Sequence, residues 1–172
     1  MKKNTNYILF AILIAICTGL FFYIRSGKQR IYYVDLQKLY AEFELKKELE
    51  TSLANYTHKS TLELDSLGLA INQIKYRMDE VKTERDVMLY DQLANVYLLK
   101  EESYEKERSQ LAQQFDDQIW KQLNQYIKDY AVDNDCDFVI GGNGDGSVMY
   151  ARSSKDITEE MIKYANQQYN GK

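Results

Sequence analysis

The chain has 172 residues, 28% charged and 45% apolar, which suits one ordinary domain with an appendage and excludes two. Proline is absent and only 8 residues are glycine, so very long helices are open to it. Beyond the five basic residues Lys2, Lys3, Arg25, Lys28 and Arg30, 17 basic and 26 acidic side chains remain, and so acidic a surface excludes nucleic acid as a partner.

Residues 7–24 form an uncharged run rich in Ile, Leu, Phe and Ala, at the lower end of membrane-spanning length. A cleaved secretory signal begins in the same way. The length of the apolar core and the lack of a clean small-x-small site favour an uncleaved anchor. Cys17 follows the bulky Ile16, where a lipoprotein signal needs a small residue, so it reads as a thiol buried in the membrane. Basic residues flank the run on both sides, and the positive-inside rule nearly ties.

A short polar linker leads to IYYV, residues 31–34, which reads as a strand, and Asp35 offers an N-cap to a helix from Leu36. From there the pattern is helical. Leu53, Tyr56, Leu64, Leu67, Ile71, Ile74, Met78 and Val81 include a run spaced 3, 4, 3, 4 and 3, a heptad seam. Leu93, Tyr97, Tyr104, Leu111, Phe115, Ile119, Leu123 and Ile127 form a second stripe, mostly four or seven apart. A single helix over 36–133 would reach about 150 Å with nothing to pack against. Folding back near residues 78–86 pairs two arms antiparallel; Gly68 is the competing bend and would interrupt the best heptads.

Such a hairpin has little core, so its ends need a body. DFVI (137–140) and SVMYA (147–151) read as two further strands joined by GGNGDG, because Asn-Gly and Asp-Gly accept positive φ. With residues 31–34 they predict at least three strands. A last helix follows, with Asp156 or Thr158 as cap, Ile157 stapled onto Ile162, and Met161 and Tyr164 facing inward. The fold class is therefore α+β: a long antiparallel coiled-coil hairpin on a small β body, preceded by a membrane helix. Residues 1–29 form the anchor and linker, residues 30–35 and 134–172 the body, and residues 36–133 the arms.

The glycine cluster fits no ligand loop. A dinucleotide loop needs a third glycine where Ser147 stands, a phosphate loop needs a lysine, and a calcium nonapeptide needs a carboxylate where Gly146 stands. His58 is the only histidine and lies on a charged arm, away from any nucleophile. Asp79 and Glu80, like Asp116 and Asp117, read as solvated helix faces, and the lone Cys136 as core. No catalytic residue, metal or cofactor is indicated, and the chain reads as no enzyme. Fifteen tyrosines are the unusual feature. Those on the arms either pack the helices together or line a surface that grips unfolded chains, and the pattern leaves both open.

The order strand, long helical hairpin, strand-turn-strand, short helix resembles the Skp/OmpH family of periplasmic chaperones. The likeness rests on IYYVDLQKLY (31–40), ERDVM (84–88) near the tip, and DCDFVI with VMYARSSKDITEEMI (135–162), and covers essentially residues 31–166. It implies a homotrimer whose strands build a shared body while three hairpins surround a cavity holding unfolded outer-membrane or envelope proteins without ATP. The residues agree with such a body: Ile31, Tyr33, Phe138, Ile140, Val148 and Tyr150 are too apolar for a small sheet alone in water. The candidates for contact with clients are Tyr56, Tyr76, Met78, Tyr90, Tyr97 and Tyr104. Two features depart from the family. The arms hold 13 basic and 19 acidic residues, which argues against electrostatic capture and lipopolysaccharide binding. The uncleaved anchor would tether a protein whose relatives diffuse freely in the periplasm; with the segment cleaved it would diffuse as they do. The alternative reading is a membrane-anchored coiled-coil stalk or scaffold, which leaves the terminal strands without a purpose.

Overall fold

The structure, a computed structural model, describes residues 13, 14, 16–19, 29–144, 146 and 148–171. Most of the apolar run at 7–24 lies outside the described residues; residues 13, 14 and 16–19 are helical and exposed. Among the described residues no helix is long and apolar enough to cross a membrane.

The ordered part begins with β1 (Ile31–Asp35), followed by helix α1 (Leu36–Glu42) and the arms α2 (Glu44–Glu80) and α3 (Glu84–Asp133). β2 (Phe138–Gly142), a 3-10 turn (Ser153–Lys155) and α4 (Thr158–Asn170) complete it. Asp35 caps α1 as its position suggests, its carboxylate accepting from the Lys38 amide at 3.0 Å. The hairpin turns over three residues, 81–83. There Thr83 Oγ1 accepts from the Asp86 amide at 3.1 Å, an N-cap to α3, and Arg77 meets Asp86 at 3.1 Å across the bend. At 1.5 Å per residue the arms extend about 55 and 75 Å.

The sheet differs from expectation. β1 and β2 pair in parallel, Ile31 opposite Phe138 and Tyr33 opposite Ile140, with the whole helical hairpin as the crossover. Residues 148–151, expected as a third strand, lie outside any strand, and Met149 and Tyr150 are 88% and 83% exposed. The free edge of β1 is taken instead by the segment entering α4: the Ile157 amide donates to the Tyr33 carbonyl at 2.9 Å, next to a parallel bridge between Tyr33 and Asp156. A strand at 148–151 therefore has no open partner on β1 within this chain.

The glycines do more than turn. Gly144 and Gly146 have φ of +71° and +89°, the left-handed region. Gly141 and Gly142 are the last two residues of β2, where an added Cβ would meet the Leu36 side chain at 2.4 Å and the Tyr33 ring at 2.6 Å. They are needed for close approach.

The core sits where β1, α1, the roots of both arms and α4 meet, around Val34, Leu39, Phe43, Leu123 and Met161. Ile157 and Ile162 are both buried there; the N-cap position of α4 falls on Ile157, which has no side-chain cap bond, rather than on Asp156 or Thr158, while Asp156 Oδ1 accepts from the Thr158 amide at 3.0 Å. The arm does not run straight from Leu36: α1 and α2 are separated at Phe43, which is extended and fully buried.

Candidate functional site

Two surfaces carry the sequence-derived candidates, the outer face of the sheet and the arms. On the sheet, Ile31, Tyr33, Phe138 and Ile140 are paired neighbours by register, and a parallel ladder brings such pairs to one face. Phe138 is 56% and Ile140 46% exposed. Val148 is half-buried and Tyr150 exposed, both beyond the end of β2. The structure thus leaves an apolar sheet face and an apolar, unpaired segment at the same end of the molecule.

Along the arms the seam is close to the predicted one: Leu53, Tyr56, Leu64, Leu67, Ile71, Ile74 and Met78 are buried or half-buried. Val81 is the exception at 68% exposure, because it falls in the turn after α2 has ended. Ser60 occupies a seam position, buried, with its hydroxyl donating to the Tyr56 carbonyl at 2.9 Å. A cleft of about 160 Å³ opens beside it, lined by Tyr56, Leu64, Tyr104 and Arg108 among others.

A polar layer crosses the hairpin here. The Tyr56 hydroxyl donates to Glu107 at 2.7 Å, the Tyr104 hydroxyl donates to Glu63, and Lys100 reaches Glu63 at 2.7 Å. The two rings meet edge to face with centroids 6.5 Å apart. Lys100 and the Tyr104 hydroxyl hold the Glu63 carboxyl below its ordinary value, and the Tyr56 hydroxyl does the same for Glu107. Burial, then the bond to Glu107, raises Tyr56. Tyr56 and Tyr104 therefore engage the opposite arm, while Tyr90, Tyr97 and Met78 are half-buried and Tyr76 is 75% exposed.

Beyond this layer, toward the tip, the arms expose Leu62, Leu69, Tyr76, Val81, Met88, Val96, Leu98 and Leu99. Leu62, Leu69 and Tyr76 repeat every seven residues, which places them along one stripe of α2. Below the layer, over residues 44–61 and 100–133, the one large apolar side chain exposed is Val132, at the end of α3. Apart from Tyr76 and Val81, reading the sequence for tyrosines and seams misses this distal set; the seven-residue spacing beside the seam is the signal that could have found part of it.

At the root of the arms a second cleft, about 340 Å³, is lined by Leu36, Gln37, Tyr40, Asp116, Trp120 and Asn143. Tyr40 stacks on Trp120 at 5.1 Å and donates to Asp116; burial and that bond push its hydroxyl up to about 12. Cys136 lies on the body, its thiol raised by burial and so a poorer nucleophile. His58 is exposed on α2. Among the described residues no group of three or more His, Cys, Asp or Glu side chains could hold a metal ion.

Residues 30–164 match the family described as outer membrane protein (OmpH-like). Among solved structures, the chain is similar to that of a proposed outer membrane chaperone (OmpH-like) from Caulobacter crescentus, with 17% identity, 83% of this chain and 86% of that one covered, and a TM-score of 0.72. At that identity the likeness is one of fold. No curated protein matches.

Proposed function

The chain belongs to the OmpH-like outer membrane protein family, and from that premise we propose that it is a chaperone, not an enzyme, that holds unfolded envelope proteins between helical arms without ATP. One observation carries this reading: of nine large apolar side chains exposed on the arms, eight lie in the distal part, residues 62–99, and only Val132 sits at the base of α3. Leu62, Leu69 and Tyr76 share one stripe of α2, and a continuous apolar stripe left exposed marks an interaction site. Scattered Leu, Val, Met and Tyr on slender rods suit an unfolded chain, whose apolar groups arrive in no fixed order.

Three copies form the working unit in this reading. The apolar sheet face of Ile31, Tyr33, Phe138 and Ile140, together with residues 148–150, supplies the contacts, and the domain runs over residues 30–172 with its arms at 36–133. The periplasm is its compartment, with residues 7–24 as a tether to the inner membrane. A stalk, by contrast, has no use for exposed leucines near its tip. Distal Leu62 and Leu69 join Tyr76, Met78, Tyr90 and Tyr97 as the contacts for clients, while Tyr56 and Tyr104 are engaged with the opposite arm.

The chain from Gly27 onward, mixed at near-stoichiometric ratio with a denatured outer-membrane β-barrel protein diluted out of urea, suppresses light scattering in this reading. Absence of suppression would refute it. Sedimentation gives a trimer for the chaperone and an elongated dimer for a stalk.

A further inference from the structure

The helical segment that starts at Leu36 is interrupted at a single residue: α1 ends at Glu42, Phe43 has φ −72° and ψ 129°, and α2 starts at Glu44. Sharp breaks in helices trace to proline, glycine or an inserted side chain. Residues 36–50 contain neither proline nor glycine. Their leucines, lysines, glutamates and alanine are good helix formers. Phe43, at the N-cap of α2, has no side-chain capping bond to offer.

The cause lies across the fold, on α4. Asn166 Oδ1 accepts from the Glu44 amide at 2.9 Å, and Asn166 Nδ2 donates to the Glu42 carbonyl at 3.1 Å. One side-chain amide thus supplies a donor and an acceptor to the two sides of the interruption, where the helix ladder leaves such groups unpaired. One turn on, Asn170 Nδ2 donates to Glu44 Oε2 at 2.6 Å and Tyr169 to Glu48. The Phe43 ring sits between Tyr126 and Tyr169, with centroids at 6.1 and 5.7 Å.

We infer that Asn166 is a positioning residue: bonded to both sides of the interruption, it keeps the elbow at Phe43 bent, so the docking of α4 sets the direction in which the arms leave the body. The sequence of residues 36–50 has no stop of its own. The elbow therefore has two forms, bent and continuous, and α4 biases it to the bent one. The inference concerns arm direction and is independent of what the arms hold, so failure of the holding assay leaves it standing, and its own failure leaves the holding reading standing.

The test uses the full-length chain in detergent, with Cys17 and Cys136 replaced by serine and spin labels on Lys82→Cys at the tip and Ser154→Cys on the body. Labelled chains are diluted into unlabelled ones, and distances are measured by double electron–electron resonance. The parent gives one distance population. Asn166→Leu removes both bonds and adds a second population of roughly a tenth of the molecules or more. Adding Glu44→Pro restores the single population, because proline at a first helical position favours a helix start and drives the preceding residue, here Phe43, into the extended region it already occupies. An unchanged single population in Asn166→Leu overturns the inference, even if the melting temperature falls, since a merely structural role predicts that result. Failure of Glu44→Pro to restore the parent distance also overturns it. Should Asn166→Leu not fold, Asn166→Asp, which keeps an acceptor for the Glu44 amide and loses the donor to Glu42, is measured in the same way; a single population there overturns the inference.

Discussion

Over residues 44–61 and 100–133 the hairpin exposes one large apolar side chain, Val132 at its base, whereas between 62 and 99 it exposes eight. Both halves continue the same seam. The difference lies only on the faces turned away from the partner helix, where the seam makes no demand. A two-helix rod is specified by one stripe per helix, so its remaining faces can diverge without loss of fold. The proximal half uses that freedom for charge and for polar ties to the body, and the distal half uses it for Leu62, Leu69, Leu98 and Leu99. The Tyr56, Tyr104, Glu63 and Glu107 layer stands at the boundary.

The largest effect that would break this comparison is on stability. Leu123→Ala, at a fully buried site at the root of the arms, costs about 2–5 kcal/mol in urea unfolding, whereas Leu69→Ser, 66% exposed, stays within about 0.5 kcal/mol. Equal costs would mean that the distal leucines are structural. Next in size, Gly141→Ala forces the new methyl against Leu36 and costs about 1–3 kcal/mol, a loss confined to the body; arm pairing, followed by the Tyr56 and Tyr104 environments in near-ultraviolet dichroism, stays intact. Changing Leu62, Leu69, Leu98 and Leu99 together to serine weakens the holding of a denatured barrel protein by about tenfold or more, about 1.4 kcal/mol, with helicity unchanged. Neutral replacements of Glu101, Glu102 and Glu105 leave holding as it was.

The boundary layer adds a pH dependence. Glu63 and Glu107 are held below their ordinary value of 4.5 in the folded chain, so the unfolded chain binds protons first as pH falls. Their contribution is complete above about pH 5 and fades as pH drops through 4.5 toward the lowered native values. Glu63→Gln with Glu107→Gln flattens this part of an acid titration of thermal stability; an unchanged slope would detach the layer from the comparison. The smallest effect is at the tip, where Arg77→Ala removes an exposed ion pair with Asp86 and costs less than about 1 kcal/mol.

Much of this architecture is written locally. The 3-4 spacing from Leu64 to Met78, the polar stretch at 78–86, the Asp35 cap and the strand character of residues 31–34 and 138–140 can all be read from neighbouring letters, because each depends on periodicity, composition or one side chain's reach. What cannot be read this way depends on distant partners. The elbow at Phe43 leaves no local mark, since the side chain that bridges it, Asn166, lies more than a hundred residues further on. Residues 148–151 have the composition of a strand, yet they pair with neither strand: Ile157 occupies the second edge of β1, and β1 is the one ladder partner of β2 among the described residues. Leu62 and Leu69 escape notice because they sit beside a stronger stripe, and a count of tyrosines singles out Tyr56 and Tyr104, which face the opposite arm.

The parallel pairing of Ile31 with Phe138 sets an order of assembly. As the polypeptide is made from its amino end, α2 and α3 have each other as soon as both have emerged, and they can zip together by nearest-neighbour contacts. β1 must wait with its edge bare until the last fifth of the chain is available. Long-range pairing of this kind is slow and leaves an unfinished edge open to strangers. The arms are thus the first part of the molecule to exist, and the platform that joins them to anything else is the last.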